Sequence, residues 1–329
     1  MRAAAAIAVI AALALALGAA AAGGEKGAVK RVEASEIAGP ENAEDAAVLG
    51  RPLALALGGG VLFVADAQDC TIKVFSKGGR YLRAFGRKGQ GPGELSFPSG
   101  VAAAGDRVLV ADKFNSRVQV FDRDGKPAGA FAVPFLPDKV HALADGAVLV
   151  TGNPSGKRKG EAIVHIFDGS GRPLWEGVEA GFSGDPTYDA FRNMILAFPG
   201  EGGDFFAVFR SGERRVLHFA STGALLRTIA VDERHVSRPI DLPFKRGKKR
   251  LSGFCWAAAF DRGFLFLSAP APVDGKDLGP GREISVLDAG GVLQAVVVLP
   301  RPVHRFIVDG DRIFAIDDEG ELRIFEVAR

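Results

Sequence analysis

A glycine-rich stretch at residues 86–100, GRKGQGPGELSFPSG, is the first place where residue types and spacing suggest chemistry. Glycines let backbone amides approach a ligand closely, and loops of this kind can surround a phosphate group. The stretch lacks the G-x-x-x-x-G-K-S/T pattern of nucleotide-binding loops, and no helical pattern follows that could direct an N-terminal dipole at a phosphate. The sequence therefore predicts a loop that joins two strands.

Histidine and cysteine are the next candidates, because imidazole and thiolate groups bind zinc. His141, His304 and Cys255 each lie in a short apolar segment. No short His-x-His or Cys-x-x-Cys spacing supports a metal, and no G-x-S-x-G elbow supports a nucleophile. We therefore predict no catalytic residues. Cys70 and Cys255 are compatible with a disulfide in an oxidising compartment, although a core of this size does not require one.

The charge pattern restricts the partners. Lys and Arg exceed Asp and Glu by only two, 41 against 39, which gives no general attraction to nucleic acid. One basic block stands out, formed by Lys245, Arg246, Lys248, Lys249 and Arg250. It is either a solvated loop or a surface for an anionic partner.

The N-terminus indicates export. Residues 1–22 combine an early arginine, an alanine- and leucine-rich run and small residues suited to cleavage, which is typical of a signal peptide. We expect a periplasmic or secreted protein. Membrane attachment is expected only if this segment is retained, because it is about long enough to span a bilayer.

Internal repeats indicate the fold that must position these residues. Residues 61–76 (VLFVADAQDCTIKVFS) align with residues 107–122 (RVLVADKFNSRVQVFD) at an offset of 46, and a third copy ends another 46 residues on. Each unit contains short alternating segments separated by Gly and Asp-Gly turns, which predicts four antiparallel strands. Four-stranded units of this length are typical of propeller blades.

The predicted fold is therefore an all-β, six-bladed β-propeller over residues 28–329, with seven or five blades as alternatives. The predicted blades span about 48–86, 95–134, 138–176, 191–231, 251–300 and 302–327. The last unit lacks a fourth strand. We predict that residues 28–37 supply it and close the ring.

At the second unit the sequence resembles the NHL repeat. The resemblance rests on Gly-x-x-Gly-x-Gly-x-Gly-Glu, then Phe-Pro-x-Gly-Val-Ala, then Val-Ala-Asp-x-x-Asn-x-Arg-Val-Gln-Val-Phe, within residues 86–121. That family forms six-bladed propellers. The resemblance implies that Asp66, Asp112 and Asn115 stabilise the turn between second and third strands.

A propeller would place His141, Cys255 and His304 on the first strands of blades three, five and six, beside the central channel. Peptidyl-hydroxyglycine lyases, which are also propellers of this type, hold zinc through channel histidines. Calcium-dependent lactonase propellers need a Glu, Asn and Asp set that this chain does not assemble. Buried histidine and cysteine are also ordinary core residues. We assign His165 and His218 structural roles and predict that His235 is solvated.

The function predicted from these patterns is a monomeric binding scaffold for a protein or saccharide ligand, without a cofactor. Its ligand should contact the longest insertions, at residues 152–160, 178–191, 232–250 and 270–281. The alternative is a metal-dependent lyase or hydrolase that uses zinc or calcium in the channel.

Overall fold

The computed structural model describes residues 29–38, 48–153, 160–235, 238–244, 247–273 and 277–328. The predicted signal peptide at residues 1–22 lies outside these ranges. Within them, no helix is both long enough and apolar enough to cross a membrane.

Four antiparallel sheets follow one another along the chain, each with four strands in sequence order. Their Gly-rich turns are those expected from the repeats, but the second strands are buried along nearly their whole length and do not alternate, because both faces of each sheet are covered. The first two sheets contain β2 (Pro52–Gly58), β3 (Val61–Asp66), β4 (Thr71–Ser76) and β5 (Tyr81–Phe85), then β8 (Pro98–Ala104), β9 (Arg107–Asp112), β10 (Arg117–Asp122) and β11 (Pro127–Ala132). The next two contain β12 (Leu136–Ala142), β13 (Val148–Asn153), β14 (Ala162–Phe167) and β15 (Pro173–Glu179), then β16 (Ile195–Pro199), β17 (Phe205–Phe209), β18 (Arg215–Phe219) and β19 (Leu225–Ala230).

The remaining strands of the core form one eight-stranded sheet. Its members are β1 (Lys30–Ala38), β22 (Ala258–Asp261), β23 (Phe264–Ser268), β26 (Glu283–Leu287), β27 (Leu293–Val298), β28 (Val303–Asp309), β29 (Arg312–Asp317) and β30 (Leu322–Val327). The N-terminal strand β1 pairs antiparallel with β30, with Ala34 opposite Val327, as the sequence predicted. It also pairs parallel with β27, with Lys30 opposite Ala295, which was not predicted. One strand thus joins two four-stranded groups.

Small elements occupy the connections. They are β6 (Arg87–Lys88), β7 (Glu94–Leu95), the 3₁₀ turn Lys113–Asn115, the helix α1 (Pro186–Arg192), and the hairpins β20 (Arg238–Phe244) with β21 (Gly247–Gly253) and β24 (Ala271–Val273) with β25 (Asp277–Gly279). Helix α1 begins with Asp185, whose carboxylate accepts the amides of Thr187 and Tyr188, and with a proline in its first turn.

The six strands β2, β8, β12, β16, β22 and β28 surround one central cavity. Each contacts the next, and β28 contacts β2. Each also lies at the end of its own four-stranded group, so its inner edge pairs with no other strand of the described ranges. The groups therefore radiate from a common axis, which is the arrangement of a β-propeller.

The core lies between neighbouring sheets. Phe85 of β5 packs on Phe121 of β10, with ring centroids 5.0 Å apart, and Phe131 of β11 packs on Phe167 of β14 at 5.4 Å. Each apolar cluster of described buried residues combines residues of two adjacent sheets. Each sheet thus buries its apolar faces against its neighbours, as in other repeat folds.

Candidate binding site at the channel mouth

The two faces of the propeller differ in what they present. Because the strands alternate in direction, the loop leading into each first strand and the turn between second and third strands lie on the same side. We call this side the loop face, and the side with the turns between first and second and between third and fourth strands the hairpin face. The central cavity is lined by the six first strands, mostly by their later parts toward the hairpin face, and Lys139 and Arg305 are the lining residues of their strands that lie nearest the loop face.

Buried carboxylates hold the loop face together. Asp66 ends β3 with no exposed surface, and accepts the amides of Gly50 (2.8 Å) and Arg51 (2.9 Å) from the loop before β2. Asp112 ends β9 in the same way and accepts the amide of Ser96 at 2.6 Å. Each carboxylate thus ties an incoming loop to the turn beside it.

Asp112 also binds the two other polar residues of its turn. The Asn115 side-chain amide donates to Asp112 Oδ2 at 2.7 Å, and Arg117 Nε donates to the same oxygen at 2.8 Å. In the first sheet Lys73 replaces the arginine, with its Nζ 3.1 Å from Asp66 Oδ2. These contacts support the structural role that the resemblance implied for Asp66, Asp112 and Asn115.

The backbone amides and carbonyls of the glycine-rich stretch form hydrogen bonds with side chains of the protein itself. The Glu94 carboxylate accepts the amides of Gln90 (3.1 Å) and Gly91 (2.9 Å) and a bond from Arg87 Nε (3.1 Å). Asn115 and Arg117 donate to the carbonyls of Gly89 and Gly91, both at 2.9 Å. Since a carboxylate of the chain takes amides that a phosphate would need, this loop is a joint between two sheets.

The central cavity has a volume of about 370 Å³. Its wall is largely apolar, built from Ala, Leu, Val and Phe of the six first strands, with Lys139, His141, Arg305 and Asp309 as its charged or titratable members. A cavity of this size is at the lower end of the range for small-molecule sites, about 300–1,000 Å³. It therefore suits a small ligand or one end of a larger one.

Lys139 lies at the loop-face end of this cavity, which we call its mouth. Its Nζ donates to the carbonyls of Ser99 (2.6 Å) and Leu53 (3.2 Å), which belong to the two preceding sheets. Lys113 Nζ lies 3.1 Å from Asp138 Oδ1, and Lys139 Nζ lies 3.9 Å from the other oxygen of that carboxylate. Burial lowers the pKa of Lys139 to about 7, an effect that Asp138 opposes and nearby arginines reinforce.

Two arginines lie close enough to this lysine to act on its charge, one from the adjacent sheet and one from the far side of the ring. Arg305, on β28, lines the cavity, and burial lowers its pKa although Asp138 opposes the shift. Arg210 follows β17 and lies over the Trp256 ring, 4.1 Å from its centroid. Burial and the charge of Arg305 lower the pKa of Arg210 to about 10. The mouth is therefore rich in positive charge.

The structure does not bring the predicted metal ligands together. His141 lines the cavity and hydrogen-bonds the backbone of Ala197, His304 Nδ1 accepts from Trp256 Nε1 at 3.4 Å, and the Cys255 thiol donates to the Ala257 carbonyl at 3.2 Å. Burial lowers the pKa of His141 to about 4 and raises that of Cys255 to about 12. Both Cys70 and Cys255 are free and buried, in different apolar clusters.

Among the described residues, the one group of three side chains close enough to share a metal ion is Asp317, Glu319 and Glu321. Arginines already neutralise it: Arg323 Nε is 2.8 Å from Asp317, and Arg301 Nη1 is 3.4 Å from Glu319. We interpret this group as an ion-pair network.

Other predicted residues have the following positions. His235 is buried and not solvated as predicted: its two ring nitrogens lie 2.8 Å from Ser285 Oγ and from the Phe254 carbonyl oxygen. His165 stacks on Phe135 with ring centroids 4.0 Å apart, and His218 stacks on Phe206 at 4.4 Å.

Lys245 and Arg246 of the basic block lie outside the described residues, and Lys248, Lys249 and Arg250 belong to β21.

Sequence reasoning missed Lys139, Arg210 and Arg305. Two of them gave a signal, since Lys139 and Arg305 each interrupt a first strand that is otherwise mainly apolar. The sequence around Arg210 offers no such signal, because this residue follows a second strand and is near the site only once the sheets are arranged in a ring.

Comparison with known proteins supports the fold. The NHL repeat pattern matches residues 95–121. The chain thus contains an NHL repeat and has a β-propeller fold. The match covers β8, β9 and most of β10 of the second sheet, with Asp112, Asn115 and Arg117, whose contacts are described above. No curated protein matches this NHL-repeat chain significantly.

Solved propellers resemble the NHL-repeat chain over most of its length. A protein of Bacteroides fragilis classed as exported has a TM-score of 0.61 at 13% identity, over 92% of this chain and 99% of that one. The WD40 repeats of RRP9 have a TM-score of 0.56 at 11% identity, over 92% of this chain and 100% of that one. Virginiamycin B lyase from Staphylococcus aureus has a TM-score of 0.52 at 13% identity, over 84% of this chain and 80% of that one. At such identities the likeness establishes the fold and not the activity.

Proposed function

We propose that this NHL-repeat propeller is an exported, monomeric binding scaffold that holds a protein or saccharide ligand at the channel mouth on its loop face. The observation that carries the proposal is the apolar cavity of about 370 Å³ with Lys139 and Arg305 in its wall. Small-molecule sites are commonly apolar cavities with a few converging polar groups.

The proposal includes six blades, the last completed by β1. Six first strands surround the cavity, and each contacts the next around a closed circuit. The eight-stranded sheet divides at the parallel pairing of β1 with β27, leaving β22, β23, β26 and β27 on one side and β28, β29, β30 and β1 on the other. This division supports two blades joined along one edge.

Export is proposed from the N-terminal pattern of residues 1–22. The similarity in fold to a Bacteroides fragilis protein classed as exported agrees with it. The metal-dependent lyase or hydrolase is not favoured, since His141, His304 and Cys255 have separate partners.

The test compares the mature wild-type chain with a variant whose cavity is filled. Ala258 begins β22 and lines the cavity, so Ala258→Phe should obstruct the mouth. Both proteins are applied to an array that carries neutral and acidic oligosaccharides and peptides. Binding by the wild type that falls at least tenfold in the variant supports the proposal. Binding to no member, or equal binding by both proteins, contradicts it. Equal melting temperatures show that the variant is folded.

A further inference from the structure

The mouth of the channel carries an excess of positive charge that the protein does not neutralise. Four cationic side chains interact electrostatically around one carboxylate, that of Asp138: they are Lys113, Lys139, Arg210 and Arg305. With Lys139 protonated, these five groups carry four positive charges and one negative charge, so their net charge is +3. Buried charge of one sign is costly unless an opposite charge approaches it. The site is therefore suited to an anion.

Arg305 is the member of this group with a free guanidinium. Lys139 already donates to two carbonyls, Lys113 pairs with Asp138, and Arg210 lies on Trp256. Within the described ranges, the Arg305 side chain has no hydrogen bond and no ion pair, although it lines the cavity. A guanidinium offers a planar fork of donors that matches a carboxylate in two parallel hydrogen bonds.

The cavity wall offers a second kind of recognition. The first strands face the channel with edges that pair with no other described strand, so backbone N–H and C=O groups lie along it. Lys139 shows that these groups are within reach of a ligand, since it binds two such carbonyls. Alternating donors and acceptors suit hydroxyl groups, which both donate and accept.

We propose that a sugar carrying a carboxylate, a hexuronate unit of an acidic saccharide, binds at the channel mouth with its carboxylate on Arg305 and its hydroxyls on the strand edges. This inference rests on the proposed binding function and names its ligand class. A saccharide is favoured over an acidic peptide because a narrow cavity of about 370 Å³ lined by separate strand edges accepts one compact polyhydroxylated unit. A peptide strand would need one long edge to pair with.

The experiment is calorimetric titration of the mature chain with trigalacturonate, with a neutral trigalactoside and with inorganic phosphate as separate probes. Arg305→Gln removes the charge, and Arg305→Lys keeps the charge but removes the fork. Arg107→Gln is the matched control, since Arg107 is exposed at the first residue of β9, on the hairpin face. Melting temperatures verify folding, and Arg305→Lys keeps the test valid if Arg305→Gln does not fold.

Trigalacturonate should bind the wild type and Arg107→Gln equally, and at least tenfold more weakly to Arg305→Gln, with Arg305→Lys between them. Three results overturn the inference: no binding of trigalacturonate, equal binding of the neutral trisaccharide, or tighter binding of phosphate. If neutral sugar binds and Ala258→Phe abolishes that binding, the proposed function stands while the acidic ligand is rejected.

A pH series adds an independent check. Lys139 is half protonated near pH 7, so affinity for trigalacturonate should fall as pH rises from 6 to 8.5 and its ammonium group loses its proton. The other titratable and charged groups at the mouth are Asp138, Lys113, Arg210, Arg305, His141 and His304. The pKa values of the Asp and both His are lowered, and arginine stays protonated throughout this range, so these groups keep their charge states. An affinity that is flat over this range contradicts a role for the Lys139 charge.

Discussion

At the residue scale, one buried carboxylate at the end of a second strand recurs around the ring. Asp66, Asp112 and Asp317 have no exposed surface. Each pairs with a basic residue of the following strand, Lys73 for the first and Arg117 for the second, and each accepts backbone amides. A buried carboxylate is stable only with such partners, so the Asp and the basic residue form one unit.

Asp112→Asn tests this unit. The substitution removes the charge and places a donor where Arg117 and Ser96 now donate. Breaking a buried pair from one side typically costs about 3 kcal/mol, so we expect the free energy of unfolding to fall by that amount. Asp106→Asn, at an exposed turn of the same sheet, should change it by less than about 0.5 kcal/mol. Urea unfolding measures both. Equal stability of the two variants would falsify the role of Asp112.

His235 gives a pH-dependent prediction. Burial lowers its pKa to about 4, although a bond to the Phe254 carbonyl opposes the shift. Between pH 4 and about 6.5 the unfolded chain therefore binds more protons than the folded one, and stability must fall as pH decreases through this range. The loss is on the order of 3 kcal/mol for a shift of this size.

The measurement is the free energy of unfolding at pH 7 and pH 4.5 for the wild type and for His235→Asn. His141, also with a pKa of about 4, contributes a second loss of the same sign. Burial also lowers the pKa of His165 and His304, so the variant should keep part of this loss but lose less stability on acidification than the wild type. An unchanged loss in His235→Asn contradicts the prediction.

At this scale the sequence identified residues that recur in aligned repeats. It did not identify residues whose contacts lie in distant parts of the chain. Asp66 and Asp112 stand at equal offsets in two aligned units, so the repeat identified them. His235 lies in a polar segment, and its burial depends on Ser285 and Phe254, which belong to later parts of the chain. Arg305 similarly becomes a site residue only because the ring faces it toward Lys139.

At the element scale, the turn between third and fourth strands packs on the sheet before it. Gly125, Gly171 and Gly223 all have positive φ, and a Cβ on each would lie within 2.4 Å of an aromatic side chain of the preceding sheet, respectively Phe85, Phe131 and Trp175. Glycine is thus required twice, by the backbone and by the neighbouring ring. The repeated Asp-x-x-Gly turn therefore sets how closely two blades approach.

Gly171→Ala and Gly146→Ala separate these two requirements. Both glycines have similar φ, +91° and +85°, but a Cβ at Gly171 lies 2.2 Å from Phe131 Cβ, while one at Gly146 meets nothing within 4 Å. Gly146→Ala should cost about 1 kcal/mol through backbone strain alone. Gly171→Ala should cost about 3 kcal/mol, since overpacking is added. Thermal and urea unfolding measure both losses of stability. Equal losses would contradict the claim that Gly171 is required for close packing between blades.

The repeat predicted the strands well and the insertions poorly. Period-2 alternation and Asp-Gly turns specify β8 to β11, because each signal there is local. The hairpin β20–β21 was not predicted, since its basic loop resembles a solvated segment and its pairing carries no repeat signal. The pairing of β1 with β30 was predicted because the last unit lacks a strand, whereas its parallel pairing with β27 has no local signature.

At the scale of the whole molecule, the apolar clusters of the described residues each join two neighbouring sheets. Each sheet buries its faces only against its neighbours, so stability is transmitted around the circle. β1 closes this circle from the other end of the chain, with Val32 and Ala34 buried between β27 and β30. Without β1 those two strands would each have a free edge.

Deleting β1 tests this closure directly. A chain beginning at residue 39 loses the pairs to both strands, and the edges of β27 and β30 become available to other chains. We expect a lower melting temperature, a broader transition and concentration-dependent association, measured by calorimetry and by size-exclusion chromatography. The control begins at Val29 and keeps the whole strand. A shortened chain that remains monomeric and melts with the control contradicts closure by β1. Restored stability on adding a peptide of residues 29–38 would identify the lost strand as the cause.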